Sequence, residues 1–141
     1  MSVSEVVSPL IGRLVLVWFF LSQVLHYGGD WNATVALMKF AGIPIAALLL
    51  LVALLLLLLG CLSLLLGLNT RHGAMLLFGL TIVATVLMHA FWQIGDNPAA
   101  RQADFELFSR NIAIAGGLLL LVGMGPGPFA LDNRLGGKKK K

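Results

Sequence analysis

Charge is scarce in this chain: 11% of its 141 residues are Asp, Glu, Lys or Arg, and only six are acidic. A soluble domain carries about 25% charged and about 45–50% apolar residues. Here 59% are hydrophobic and the mean hydropathy is +0.95, so a water-facing surface cannot be built from what remains. Cysteine is nearly absent too. The single Cys61, inside a leucine run, excludes an intramolecular disulfide, a CxxC redox pair and a thiolate zinc site, so redox chemistry has to come from a cofactor or a partner. No metal-ligating set stands out. Four of the ten basic residues are the terminal run Lys138, Lys139, Lys140 and Lys141, so the net charge of +4 belongs to the tail and does not describe a nucleic-acid surface.

What is present is long apolar runs. A bilayer core about 30 Å thick needs about 20 apolar residues per helical crossing, so the length accommodates four crossings and short loops in one domain. The fold class is all-α, a four-helix transmembrane bundle with helices over about residues 6–27, 43–68, 74–94 and 105–124 and a polar, basic tail over 132–141. No small-x-small cleavage site follows the first run, which therefore reads as a retained helix. Gly28 to Asn32 reads as a loop. Ile43 to Leu68 contains no charged residue and no amphipathic period, as expected of a helix facing lipid on much of its circumference, with Pro44 in its first turn. Asn69 to Gly73 reads as the turn that follows, and Gly95-Asp96-Asn97-Pro98 as the stop of the third helix. The wholly apolar part of the fourth, Ile112 to Met124, covers only about 20 Å; reaching back through Phe105 draws Arg110 and Asn111 toward the membrane boundary.

The scarce polar side chains gather at one end. Gln23, His26 and Tyr27 share a face of the first helix, and at helical spacing His89, Trp92 and Gln93 do the same on the third. Arg110 and Asn111 close the group from the fourth. Ionisable groups within a membrane usually face the bundle or a water-filled cavity, so these eight residues form a candidate ligand pocket. Imidazole, guanidinium and aromatic rings suit a quinone-like ring or another partly apolar ligand. His26 and His89 fall near the same depth, as a bis-histidine haem requires, but two histidines without supporting residues carry little weight. The plainer role for His26, Tyr27 and Trp92 is interfacial anchoring, and for Arg110 a pairing with Glu106 one turn away.

Gly60, Ser63, Gly67, Gly116 and Gly117 read as helix-packing positions, and Cys61 beside them as a buried, inert side chain. Asn32-Ala33-Thr34 matches a glycosylation sequon by pattern alone. Arg134 and the four terminal lysines form a polybasic patch suited to anionic lipid headgroups, at about 1 kcal/mol per cation near the surface.

Several of these segments resemble the DoxX family of small four-helix membrane proteins: Arg13-Leu14, Gly42-Ile43-Pro44, Gly67 to Arg71, His89-Ala90-Phe91-Trp92, Phe108 to Gly117, Gly125-Pro126-Gly127 and Leu131-Asp132. The resemblance covers about residues 10 to 132. It implies an association with membrane oxidoreductase systems, including a subunit relationship to thiosulfate:quinone oxidoreductase, and it places Arg13, His89, Trp92, Arg110 and Asn111 on the family's polar positions. Many relatives carry a glutamate near the place of Leu57. Its absence here argues against catalysis by the chain alone and for an accessory or anchoring subunit among other membrane subunits, with a self-standing binder or oxidoreductase as the alternative.

With four crossings, Arg13, Arg71, Arg134 and Lys138 to Lys141 share one side, and Lys39, Arg101 and Arg110 the other. The positive-inside rule then puts both termini in the cytoplasm of a bacterial inner membrane; without the terminal lysines the count is three against three. A reporter active only in the cytoplasm should work when fused to either end, and activity only of periplasm-dependent reporters would reverse the orientation.

Overall fold

The computed structural model describes residues 1–136; the expected headgroup contacts of Lys138 to Lys141 lie outside them. The elements run α1 (Val3–Gly29), α2 (Trp31–Phe40), α3 (Ala46–Leu66), α4 (Thr70–Met88), a 3₁₀ turn (Phe91–Gln93), α5 (Pro98–Met124) and α6 (Leu131–Gly136). Among the described residues, four helices are long and apolar enough to cross a membrane: α1, α3, α4 with its 3₁₀ extension, and α5. The protein is an all-α, four-helix transmembrane bundle. At 1.5 Å per residue, α3 and α4 are about 30 Å long and α1 and α5 about 40 Å.

α1 packs on α3, α3 on α4 and α4 on α5. Val17, Phe20, Cys61, Leu64, Ala74, Leu77, Leu118 and Leu121 meet in one core, drawn from all four long helices. Most of the leucines of α3 remain exposed on its outer side, among them Leu55, Leu59 and Leu62. Two threonines sit within the buried face of α4 without polar partners from other helices. Each donates to the carbonyl four residues back, Thr81 to Leu77 at 2.7 Å and Thr85 to Thr81 at 2.6 Å, which meets the need for a partner without water.

Four expected boundaries move, each for a local reason. The Gly28–Asn32 segment is no loop beyond Asp30: a second short helix follows at once, and Thr34 closes the corner by donating to the carbonyls of Tyr27 and Asp30 at 3.2 and 3.0 Å. That buries the threonine of the sequon. α2 leaves Leu37 and Phe40 exposed, Phe40 at 93%, beside Lys39, as a helix lying at the membrane boundary does. α3 begins at Ala46 and not at Ile43, because Gly42 turns left-handed (φ +78°) and Pro44 holds Ile43 out of helical geometry. Thr70 to Gly73 is the first turn of α4, not a linker. Finally, Asn97-Pro98 starts α5: Asn97 Oδ1 accepts from the Ala100 N–H at 3.1 Å, and Pro98 occupies the first turn, where its missing N–H costs nothing.

The small residues divide into two groups. A Cβ on Gly60 would come within 2.6 Å of Leu77, and one on Gly73 would overlap Ser63, so α3 and α4 approach closely at these two glycines. Gly116 and Gly117 have no neighbour within 4 Å of such an atom. The packing role read for that pair is therefore not exercised within the chain; Gly73 holds it instead. Gly73→Val should destabilise the bundle by about 1–3 kcal/mol through overpacking, while Gly117→Ala should be neutral or slightly stabilising. Thermal unfolding of both variants in detergent checks this, and equal melting points would refute it.

Candidate functional site

Arg13 is the only buried charged side chain among the described residues, 2% exposed in the first half of α1. An ionised side chain out of water needs hydrogen-bond partners. Its Nε donates to the Leu64 carbonyl at 2.9 Å, Nη2 to the Leu65 carbonyl at 3.2 Å, and Nη1 to the Pro126 carbonyl at 3.1 Å. The first two acceptors lie in the last turn of α3, whose final carbonyls have no helical partner, and a cation there also suits the helix dipole. The third lies just past α5. One side chain thus ties three helices together at the end where α1 begins and α5 stops.

Gly67 makes this possible. Its left-handed backbone (φ +69°) ends α3, and a Cβ there would sit 2.7 Å from the Ala130 Cβ and 2.8 Å from Arg13 Nη2. Ser63 completes the turn: its carbonyl accepts from Gly67 and Leu68 N–H, and its hydroxyl donates to the Leu68 carbonyl at 2.7 Å. Across the turn, Asp132 caps the start of α4, accepting from the N–H groups of Asn69 at 2.7 Å and Thr70 at 2.9 Å, while its own N–H donates to the Gly67 carbonyl. A cation therefore sits on the C-terminus of α3 and an anion on the adjoining N-terminus of α4, each of the sign that the dipole favours. Burial pushes the Asp132 carboxyl up, but the Thr70 and Asn69 N–H groups, the nearby Thr70 hydroxyl and the Arg13 charge together hold it below its ordinary value of 3.8. The Thr70 hydroxyl itself is buried without a well-formed hydrogen bond.

At the opposite end, α4 stops at Met88, because His89 leaves helical geometry (φ −124°). His89, Trp92 and Gln93 therefore do not share a helix face, which corrects the sequence reading: His89 is partly buried, and Trp92 and Gln93 are exposed. His89 Nδ1 instead lies 3.1 Å from Asp104 Oδ1 of α5. With the carboxylate ionised and the imidazole neutral, Nδ1–H donates and Nε2 is left as an acceptor. Phe91 of the 3₁₀ turn packs edge-on against Trp92, Phe105 and Phe108, with ring centroids 5.2–5.4 Å apart. Arg101 pins the connection by donating twice to the Ile94 carbonyl.

Among the described residues, no hydrogen-bond network joins the eight pocket residues read from the sequence. Arg110 reaches Asn111 Oδ1 at 3.4 Å and stands over the Phe19 ring of α1, 5.5 Å from its centroid. His26 is exposed, Gln23 and Tyr27 are partly buried, and no side-chain hydrogen bond links these three to His89, Trp92, Gln93, Arg110 or Asn111. Two clefts do occur, but at the other end, where Asn69 and His72 line both. The sequence reading gave Asp104 no role and named Asp132 only within a segment that resembles the family. The signal for Asp104 is its stripe: Asp104, Phe108, Asn111, Ala115 and Leu118 follow one another at helical spacing along the inner face of α5.

A family model described as DoxX matches residues 8–90, and one described as the SURF4 family matches residues 61–141. Among curated proteins, the chain is 30% identical to inner membrane protein YphA of Escherichia coli, covering 89% of this chain and 88% of that one. It is also 30% identical to inner membrane protein YqjF of the same organism, covering 95% and 96%. A Surfeit locus protein 4 homolog of Schizosaccharomyces pombe is 26% identical over 89% of this chain, which spans 36% of that longer protein. No solved structure matches.

Arg13→Ala should lower stability by about 2–4 kcal/mol by orphaning buried carbonyls, and Arg13→Lys should recover only part because it lacks the planar fork; full recovery in thermal melts would contradict this. For Asp132 the folded carboxyl titrates lower than the unfolded one. Its stabilisation is therefore complete above the ordinary value of 3.8 and is lost as pH falls toward the lower folded value. Asp132→Asn should remove that component of the acid-side loss, and an unchanged acid limb would count against it.

Proposed function

The chain belongs to the DoxX family, and from that premise we propose that it serves as an accessory or anchoring subunit of a larger inner-membrane complex, redox- or quinone-linked, with both termini in the cytoplasm. The observation that carries this reading is how the polar side chains are spent. Arg13 is bound to carbonyls, Asp132 to backbone N–H groups, His89 to Asp104, and Thr81 and Thr85 to their own helix. Those groups hold the bundle together and leave the outer face of α3 as the surface offered to neighbours. The relatives named as inner membrane proteins support the location, and the family's association with membrane oxidoreductases supports the redox linkage. The cation distribution supports the orientation.

One observation favours a second reading, a binder of a hydrophobic small molecule. Asp104 orients a neutral His89 with Nε2 as an acceptor, and Trp92, three residues on, leaves its ring exposed. That pairing suits an aromatic ligand bearing a hydroxyl, as a quinol does.

Purification from native membranes in mild detergent separates the two. A subunit should recover other chains in near-stoichiometric amount, and isolation as a lone stable species would overturn that role. A binder should carry an extractable quinone or similar molecule that His89→Ala loses while the melting point holds. Retention of the molecule by that variant would remove His89 from the site.

A further inference from the structure

Two clefts at the α3–α4 turn adjoin one another, with Asn69 and His72 lining both. The outer part, about 300 Å³, is lined mainly by polar residues, with Arg71, Pro126, Asp132 and Asn133 completing it. The inner part, about 370 Å³, runs between α3 and α4 over Leu59, Gly60, Leu62, Leu66 and Leu76. Gly60 and Gly73, where α3 and α4 approach closely, form part of its lining. Its mouth carries one exposed cation, Arg71, and one carboxylate, Asp132. Arg71 is exposed, extends over the end of α5 near Gly125, and has no carboxylate within ion-pair distance among the described residues. The one carboxylate there, Asp132, is already held by two backbone N–H groups, which also leaves the α4 N-terminus taken.

We propose that this depression holds one acyl chain of an anionic phospholipid, with the headgroup phosphate against Arg71 and His72 at its mouth. The polar-to-apolar gradient matches an amphiphile lying along the membrane normal. A free anion would use only the mouth. Arg71 meets phosphate by bidentate hydrogen bonding as well as by charge. The site is independent of the subunit reading, because a chain purified alone would still carry the lipid.

The test uses the full chain, delipidated in detergent and then given phosphatidylglycerol or phosphatidylcholine with identical acyl chains, with bound lipid counted by native mass spectrometry. Phosphatidylglycerol should be retained about five-fold better, the factor that corresponds to about 1 kcal/mol for one cation near the headgroup. Arg71→Gln should erase that preference. Leu62→Trp, a change at an exposed position that fills the groove, should lower retention of both lipids while the melting point holds. Inorganic phosphate should not compete. Equal retention of the two lipids, an unchanged preference in Arg71→Gln, unchanged retention in Leu62→Trp, or displacement by inorganic phosphate would each overturn the proposal. So would a lipid-free dimer that Leu62→Trp abolishes, which would make the face a contact between copies.

Discussion

The structure depends on how a guanidinium can be kept inside an apolar bundle. Arg13 meets that demand with carbonyls, which are abundant in a membrane protein only where helices end. Its position in α1 therefore dictates what must stand around it: the last turn of α3, the segment just past α5, and a glycine at 67 so that nothing blocks the approach. The same demand explains α6. Asp132 is delivered to the turn between α3 and α4 by the chain that follows Pro126, so the α5 end, α6 and the α3–α4 turn close on one another. Removing Arg13 leaves buried carbonyls without a partner, which is costlier in a bilayer than at a soluble surface.

The two ends of the bundle are built on different physics. At the terminal end, a cation and an anion each satisfy backbone groups exposed by helix termini. At the other, edge-to-face aromatic packing and the His89–Asp104 contact hold the 3₁₀ turn against α5. Between them the core is apolar, and its threonines are satisfied by their own helix. A bundle made this way has its specificity at its ends, while the middle provides close packing and exposed leucine.

The number and class of the helices were readable because a run such as Ile43 to Leu68 has one physical outcome in a 30 Å apolar layer. Where helices start was harder. Asn97-Pro98 reads as a stop when viewed from the helix before it and as a cap when viewed from the helix after it, and the structure shows the latter. His89 to Gln93 carried apolar character past the end of α4, so period alone could not locate the break. The polar positions were visible as residues but not as partners. Arg13 and His89 stood out against their surroundings, whereas Asp132 lay in what read as a solvated tail, and its role depends on a chain reversal at Gly125 to Pro128 that no local pattern specifies. Gly116 and Gly117 looked like packing residues by composition, and only the arrangement of helices reveals that α5 turns them away from its neighbours.

The unequal helix lengths set a relation between this protein and the lipid around it. α3 and α4 match a hydrocarbon layer of about 30 Å with little tilt, while α1 and α5 exceed it by about 10 Å. Both surplus segments are N-terminal, and because α1 and α5 run in opposite directions they project from opposite membrane faces. The shorter pair then fixes the thickness that suits the bundle, and the longer pair reaches into each headgroup layer. A thicker or thinner bilayer would strain α3 and α4 first, at a cost of fractions of a kcal/mol per Å, so the chain carries its own preference for membrane thickness.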